Sequence, residues 1–253
     1  MVHVFSCESS YSSILSAFYD AWKFYRDAEV YFEVGSSGNL RLFSSYHTFV
    51  EADSKVRSIE SMIRKNLGEQ TLYAFSMALL SNEPSRADHV FRVLQLSRNI
   101  PNKHLVMEHL GNDHVRQVFE LKRQVGNEAH KLQGFIRFRE LTNGVLFSEI
   151  TPKNQVLTIF ADFFQNRFPL ENWMIYDHTN KLALAHPKGC HYFLMSPTDQ
   201  EIEQLCDMSN STDPYEGLWK IFFESVSIKE RENKDLQRNL MPLRYRKHMI
   251  EFS

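Results

Sequence analysis

Thirteen residues, Glu128 to Glu140 (EAHKLQGFIRFRE), constrain this chain most, because the hydrophobic spacing changes period within them. Up to Leu132 the apolar residues recur every three or four positions, as in a helix. After Gly134 they alternate, as in a strand. The spacing predicts a helix that carries Glu128 and His130 into Gly134. A strand then places Phe135, Arg137 and Arg139 on one face and Ile136 and Phe138 on the other. A face with two arginines beside an aromatic ring suits an anion or nucleotide platform better than a plain buried core.

At 253 residues the chain has room for one large domain or two small ones. A hydrophobic content of 43% against 24% charged residues is enough to bury an ordinary core. The formal net charge of −2 leaves no global basic footprint, so any contact with nucleic acid must use local patches. Cys7, Cys190 and Cys206 are far apart and form no CxxC pair, which argues against a disulfide scaffold and for a reducing cytoplasm. The opening MVHVFSCESSYSS has no charged and apolar leader pattern. No uncharged apolar run approaches the ~20 residues that span a bilayer, so no membrane role is expected.

Spacing and turn residues place the elements. Val2–Ser6 is a short strand, and Ser9–Ser13 leads into a helix over about Tyr11–Tyr25. Val30–Val34 and Leu40–Phe43 are strand-like around a Gly/Ser/Asn turn. Asp53 opens a helix that Gly68 stops, and two more helices cover about Thr71–Leu80 and Ser85–Ser97. A long helix runs from about Leu105 to Leu132, with an interruption expected at Gly111-Asn112. From Gly134 to Leu194 the order is ββαβββ: Phe135–Glu140, Val145–Ile150 after the Asn143-Gly144 turn, a helix from Val156 to Arg167, then Trp173–Asp177, Leu182–His186 and His191–Leu194. This order predicts an α+β fold with an antiparallel sheet over about residues 134–194, packed against helices. Tyr215, Leu218, Trp219, Phe222, Phe223 and Val226 form an amphipathic helix after Asp213-Pro214, and a basic tail follows. Between Lys229 and Lys247 that tail holds seven Lys/Arg against three acids. The expected division is a mainly helical part to about residue 104, then an α+β part with the tail, with one continuous fold as the alternative.

Chemical signatures are sparse. The chain has no Walker loop, GxGxxG, HExxH or GxSxG, so no cofactor is assigned. Arg137 and Arg139, with Lys131 before them, could grip phosphate while Phe135 or Phe138 stacks a base. Alternatively they pair with Glu128, Glu140 or Glu149 in a structural network. His130 is a candidate general base, set against a hydrogen-bonded structural histidine with no second ligand at i+3 or i+4. Asp177-His178, with Asp162 or Glu149, could bind a metal, but Asp-His-Thr-Asn is turn chemistry. The Cys190-His191 pair has no ligand spacing, so no metal is assigned. Arg244, Arg246 and Lys247 flank Tyr245, a pattern that suits a phosphate backbone and a stacked base, or equally a solvated charged helix.

Three segments carry a family resemblance: VGNEAHKLQGFIRFREL, ITPKNQVLTIFADFFQNRFPLENWMIYD and LWKIFFESVSIKERENKDLQRNLMPLRY. In order and spacing they resemble the family called probable DNA metabolism protein, a domain of unknown function, over nearly the whole chain. That resemblance implies work beside a DNA-modification or repair radical-SAM protein, in a family whose relatives are fused to uracil-DNA-glycosylase-like domains. The radical-SAM chemistry would belong to the partner, since this chain lacks CxxxCxxC. Relatives with Asp-Gly near the opening strand differ from the Ser6-Cys7-Glu8 found here. The resulting expectation is a DNA-binding accessory protein that holds DNA or a nucleotide with Arg137, Arg139, Arg167, Arg231, Arg244, Tyr245 and Lys247. Two alternatives stay open. One is an enzyme acting on nucleic acid, hydrolytic or lyase in type, with His130 and Asp177 as catalytic candidates. The other is an adaptor that docks the radical-SAM partner through its aromatic helix.

Overall fold

The computed structural model describes residues 2–35, 41–208 and 241–249, with single positions 218, 221, 222, 225, 233, 235, 239 and 252 besides. The chain separates into two compact units, residues 1–126 and 127–253. The aromatic helix expected over Tyr215–Val226 and most of the basic tail, Arg231 included, lie outside the described residues.

The first unit is built on strand β1 (Val2–Cys7), which pairs in parallel with β2 (Glu29–Val34) on one side and β3 (Ser44–His47) on the other. Parallel neighbours need a crossover, and helix α1 (Tyr11–Tyr25) supplies it between β1 and β2. Ser10 opens α1 by accepting the Ser13 amide at 3.1 Å, which satisfies one of the unpaired donors of the first turn. The helix buries Ile14, Leu15, Ala17, Phe18 and Ala21. Phe32 is the hub of the core, with Phe18, Phe91 and Phe5 ring centroids at 4.7, 5.0 and 5.8 Å. Helices α2 (Asp53–Leu67), α3 (Glu69–Leu79) and α4 (Arg86–Leu96) complete the layer. Gly68 joins α2 to α3 at φ 89°, a conformation that favours glycine.

Helix α5 (Asp113–Phe135) begins in the first unit and ends in the second. The expected interruption at Gly111-Asn112 is found: a short 3-10 segment, Lys103–Glu108, precedes it. Asn112 Oδ1 then accepts the amides of His114 and Val115 at 3.0 and 3.3 Å and starts α5.

In the second unit, β4 (Arg139–Glu140), β5 (Leu146–Ile150), β6 (Trp173–Asp177), β7 (Leu182–His186) and β8 (Phe193–Met195) form one sheet in chain order. Helix α6 (Leu157–Arg167) lies between β5 and β6, α7 (Asp199–Asp207) follows β8, and α8 (Leu243–Arg246) is the last described helix. Phe160, Phe164, Trp173, Ile175, Leu184 and Tyr245 form the main core.

The α+β class and the ββαβββ order are as the sequence predicts, but the antiparallel sheet is not. Strands β5 and β6 are parallel, because the α6 crossover returns the chain in the same direction. The other pairings of that sheet are antiparallel. Two local expectations also change. Of the expected Leu40–Phe43 strand, the described residues 41–43 are not extended, since Phe43 takes φ 60°, and the strand β3 forms instead at Ser44–His47. The Phe135–Glu140 strand shrinks to Arg139–Glu140, because α5 continues through Gly134 and the Ile136 amide still donates to Leu132 O at 2.9 Å. Arg137 and Arg139 therefore do not share a strand with Phe135.

Candidate functional site

The carboxyl ends of β5 and β6 gather a cluster of polar side chains. In open sheets with parallel strands this end is where ligands tend to bind. Glu149 leaves β5 with its side chain 15% exposed. Its Oε2 accepts from Arg139 Nη2 at 2.7 Å and its Oε1 from His178 Nε2 at 2.8 Å. The Cys206 thiol lies 3.8 Å from Oε1 and 3.7 Å from Arg139 Nη2. Burial alone would raise the Glu149 pKa. The His178 hydrogen bond and the Arg139 charge outweigh it and hold the carboxyl below its usual range, so it is ionised at neutral pH.

His178 stacks on His248, with ring centroids 5.4 Å apart and planes 10° from parallel. The residue that brings His248 here is Thr151, just past β5, whose hydroxyl shares a 2.8 Å hydrogen bond with His248 Nε2. Burial pulls His248 down to about 4; Glu149 opposes that, while His178, Lys247 and Arg139 reinforce it. The ring is neutral at pH 7.

Glu128, two turns before the end of α5 and 5% exposed, is the second hub. It accepts the amides of Lys153 and Asn154 at 2.8 and 3.0 Å and Asn154 Nδ2 at 2.7 Å. Arg244 Nη2 donates to it at 3.1 Å and the Tyr245 hydroxyl at 2.9 Å. One buried carboxylate thus clamps the loop after β5 and helix α8 together. Tyr245 is buried beside Phe135, and burial together with Glu128 pushes its hydroxyl up to about 12.

The other sequence candidates fall in different places. Asp177 is fully buried and closes a turn: Oδ1 accepts from the amides of Thr179 and Asn180, and Oδ2 from Asn180 Nδ2 at 2.6 Å. Burial raises its pKa. This is the turn chemistry that its neighbours predict. His130 is exposed on α5. Arg137 Nη1 donates to the carbonyls of Gly134 and Ile136 at 2.9 and 3.2 Å. Arg167 is exposed over the Phe168 ring at 5.5 Å, and Lys247 is exposed.

Arg139 and Arg244 are brought to this end of the unit, each on a carboxylate. For Arg139 this is the pairing with Glu149 that the sequence reading weighed against a phosphate platform. Tyr245 belongs to the core, not to a stacking surface. Sequence reasoning did weigh Glu149 with His178. It missed His248 and Thr151, because no short spacing links them.

Residues 84–251 match DUF4130, described as a domain of unknown function. The chain belongs to this family. The match covers more than half of the chain and every residue of both polar hubs. No curated protein and no solved structure matches this DUF4130 chain. Among the described residues, no helix is long and apolar enough to cross a membrane.

Proposed function

We propose that this chain is an accessory protein of DNA repair or modification that holds nucleic acid or a nucleotide with its second unit, beside the radical-SAM partner that the sequence resemblance implies. One observation carries the reading. Arg139 and Arg244 are each pinned by a carboxylate, the half-buried Glu149 and the buried Glu128, lie 5.3 and 4.5 Å over the Phe147 and Tyr245 rings, and keep about a third of their side chains exposed. The Nε–H of each is buried without an acceptor among the described residues, so a phosphate would be met by the exposed part of the guanidinium. A guanidinium carries five donors, and a carboxylate that fixes one edge leaves the rest oriented for a phosphate. Arg137, Arg167 and Lys247 add positive charge in the same unit, and Arg231 lies outside the described residues.

Fluorescence anisotropy with single- and double-stranded oligonucleotides at low salt, with and without the radical-SAM protein, tests this reading. Binding that weakens steeply with added salt supports it. No binding in any arm overturns it.

A second reading, an enzyme acting on nucleic acid, is favoured by one feature. A carboxylate that fixes a histidine ring, as Glu149 does His178, is how many sites hold a general base. That role moves the enzymatic hypothesis from His130 and Asp177 to the Glu149–His178 pair. Loss of all activity in His178→Ala, with His130→Ala unaffected, would select it.

A further inference from the structure

The geometry points to a site for a divalent first-row transition ion made by Glu149, His178 and His248. The inference is independent of nucleic-acid binding and extends to the chemistry that this end of the unit could perform. One ligating atom from each residue lies within 4.8 Å of the other two. The three come from separate places: strand β5, the turn after β6, and the segment just after α8.

The spacing suits an ion. Glu149 Oε1 and His178 Nε2 are 2.8 Å apart. Two ligands at right angles, each about 2.1 Å from an ion, are separated by about 3 Å. An ion between them would replace the proton they now share. The supports suit it too. Arg139 holds Oε2 and leaves Oε1 to the ion. Thr151 engages His248 Nε2 and orients the ring, leaving Nδ1 as its other donor. Ligating histidines are generally fixed in this way through their second nitrogen. Two imidazoles and one carboxylate favour Zn2+, Fe2+ or Co2+ over Mg2+ or Ca2+. Three protein ligands leave at least one position for water or a phosphate oxygen, the pattern of reactive rather than structural metal sites. The nearby Arg139 charge opposes a cation and weakens the site relative to one without it.

The histidine pairs of the first unit provide an internal comparison. His3–His47 and His89–His114 are hydrogen-bonded at 2.9 and 3.0 Å, but neither belongs to a three-ligand group among the described residues.

The test is calorimetric titration of the chelator-stripped full-length chain with Zn2+, alongside Co2+ absorption spectra and a Mg2+ control. The expected result is one Zn2+ per chain and a visible Co2+ band typical of nitrogen–oxygen coordination, with no Mg2+ binding. Glu149→Gln and His248→Asn, near in shape to the native residues, should each weaken Zn2+ at least tenfold. Thr151→Ala should weaken it by about 10–100-fold, and His89→Ala should change nothing. Absence of Zn2+ binding, or unchanged binding in the His178→Ala/His248→Asn double variant, overturns the assignment. If a variant fails to fold, the wild-type stoichiometry and Co2+ spectrum decide.

Discussion

The two units solve the problem of charge differently. The first keeps most of its ion pairs at the surface: Arg64–Glu69, Arg116–Asp113 and Arg98–Asp27 are all substantially exposed, and only Lys55–Asp20 among its described pairs is half-buried. Its core is hydrocarbon and aromatic, and its buried guanidinium, Arg86, donates to the Leu79 and Glu83 carbonyls and to Ser9 Oγ. The second unit sinks Glu128 and Glu149 into the protein and surrounds each with donors. Exposed pairs contribute little to stability, whereas a buried carboxylate needs every partner to offset its desolvation. Packing alone does not require such groups. Their concentration around the carboxyl ends of β5 and β6 is the feature on which the proposed function rests, while the first unit is held chiefly by its phenylalanines.

The sharpest way to break this contrast is to remove one hub. Glu128→Ala leaves Arg244, Tyr245 and the Lys153–Asn154 loop without their common acceptor. It should cost about 3–5 kcal/mol of unfolding free energy by urea titration. A loss under about 1 kcal/mol would reduce the hub to an ordinary surface pair.

In the first unit, Phe91→Ala should cost about as much, roughly 3–5 kcal/mol, through the cavity it leaves beside Phe18 and Phe32. Oligonucleotide affinity per folded molecule should not change. A change in affinity would tie the aromatic core to function and erase the distinction.

A pH series sharpens the comparison further. Asp88 accepts the Phe32 amide at 2.7 Å, and burial raises its carboxyl to about 6. The folded chain therefore binds a proton between about pH 4 and pH 6 that the unfolded chain does not, so this group's contribution to stability falls as pH rises through that window. Asp88→Asn removes the effect. The wild type should gain on the order of 2 kcal/mol relative to the variant between pH 7 and pH 4, read by urea unfolding at each pH. A flat difference would mean that Asp88 stays ionised. The smallest effect is expected from Glu69→Ala at the exposed Arg64 pair, a change too small for urea unfolding to resolve.

Much of this architecture is written in local chemistry. Helix α1 has the range that its apolar stripe and its Ser10 cap predict, and Asn112 breaks the chain where its side chain can start a helix. Direction of pairing is not local: the spacing of β5 and β6 is the same whether they run parallel or antiparallel, and only the α6 crossover decides. The same limit applies to the site. Arg139 and Glu149 were legible as potential partners because they flank one hairpin. His248 is joined to His178 by folding alone, and Glu128 acts as a hub only because α8 and the loop after β5 both come to it.

The claim that the second unit's pinned arginines face phosphate is tested most directly by the salt dependence of single-stranded oligonucleotide binding. Each phosphate contact adds about 0.7 to the slope of log affinity against log salt. Arg139→Gln together with Arg244→Gln should flatten that slope by about 1.4, read on the folded fraction as judged by circular dichroism. A wild-type chain that binds nothing at low salt, or a double variant with an unchanged slope, would contradict the account.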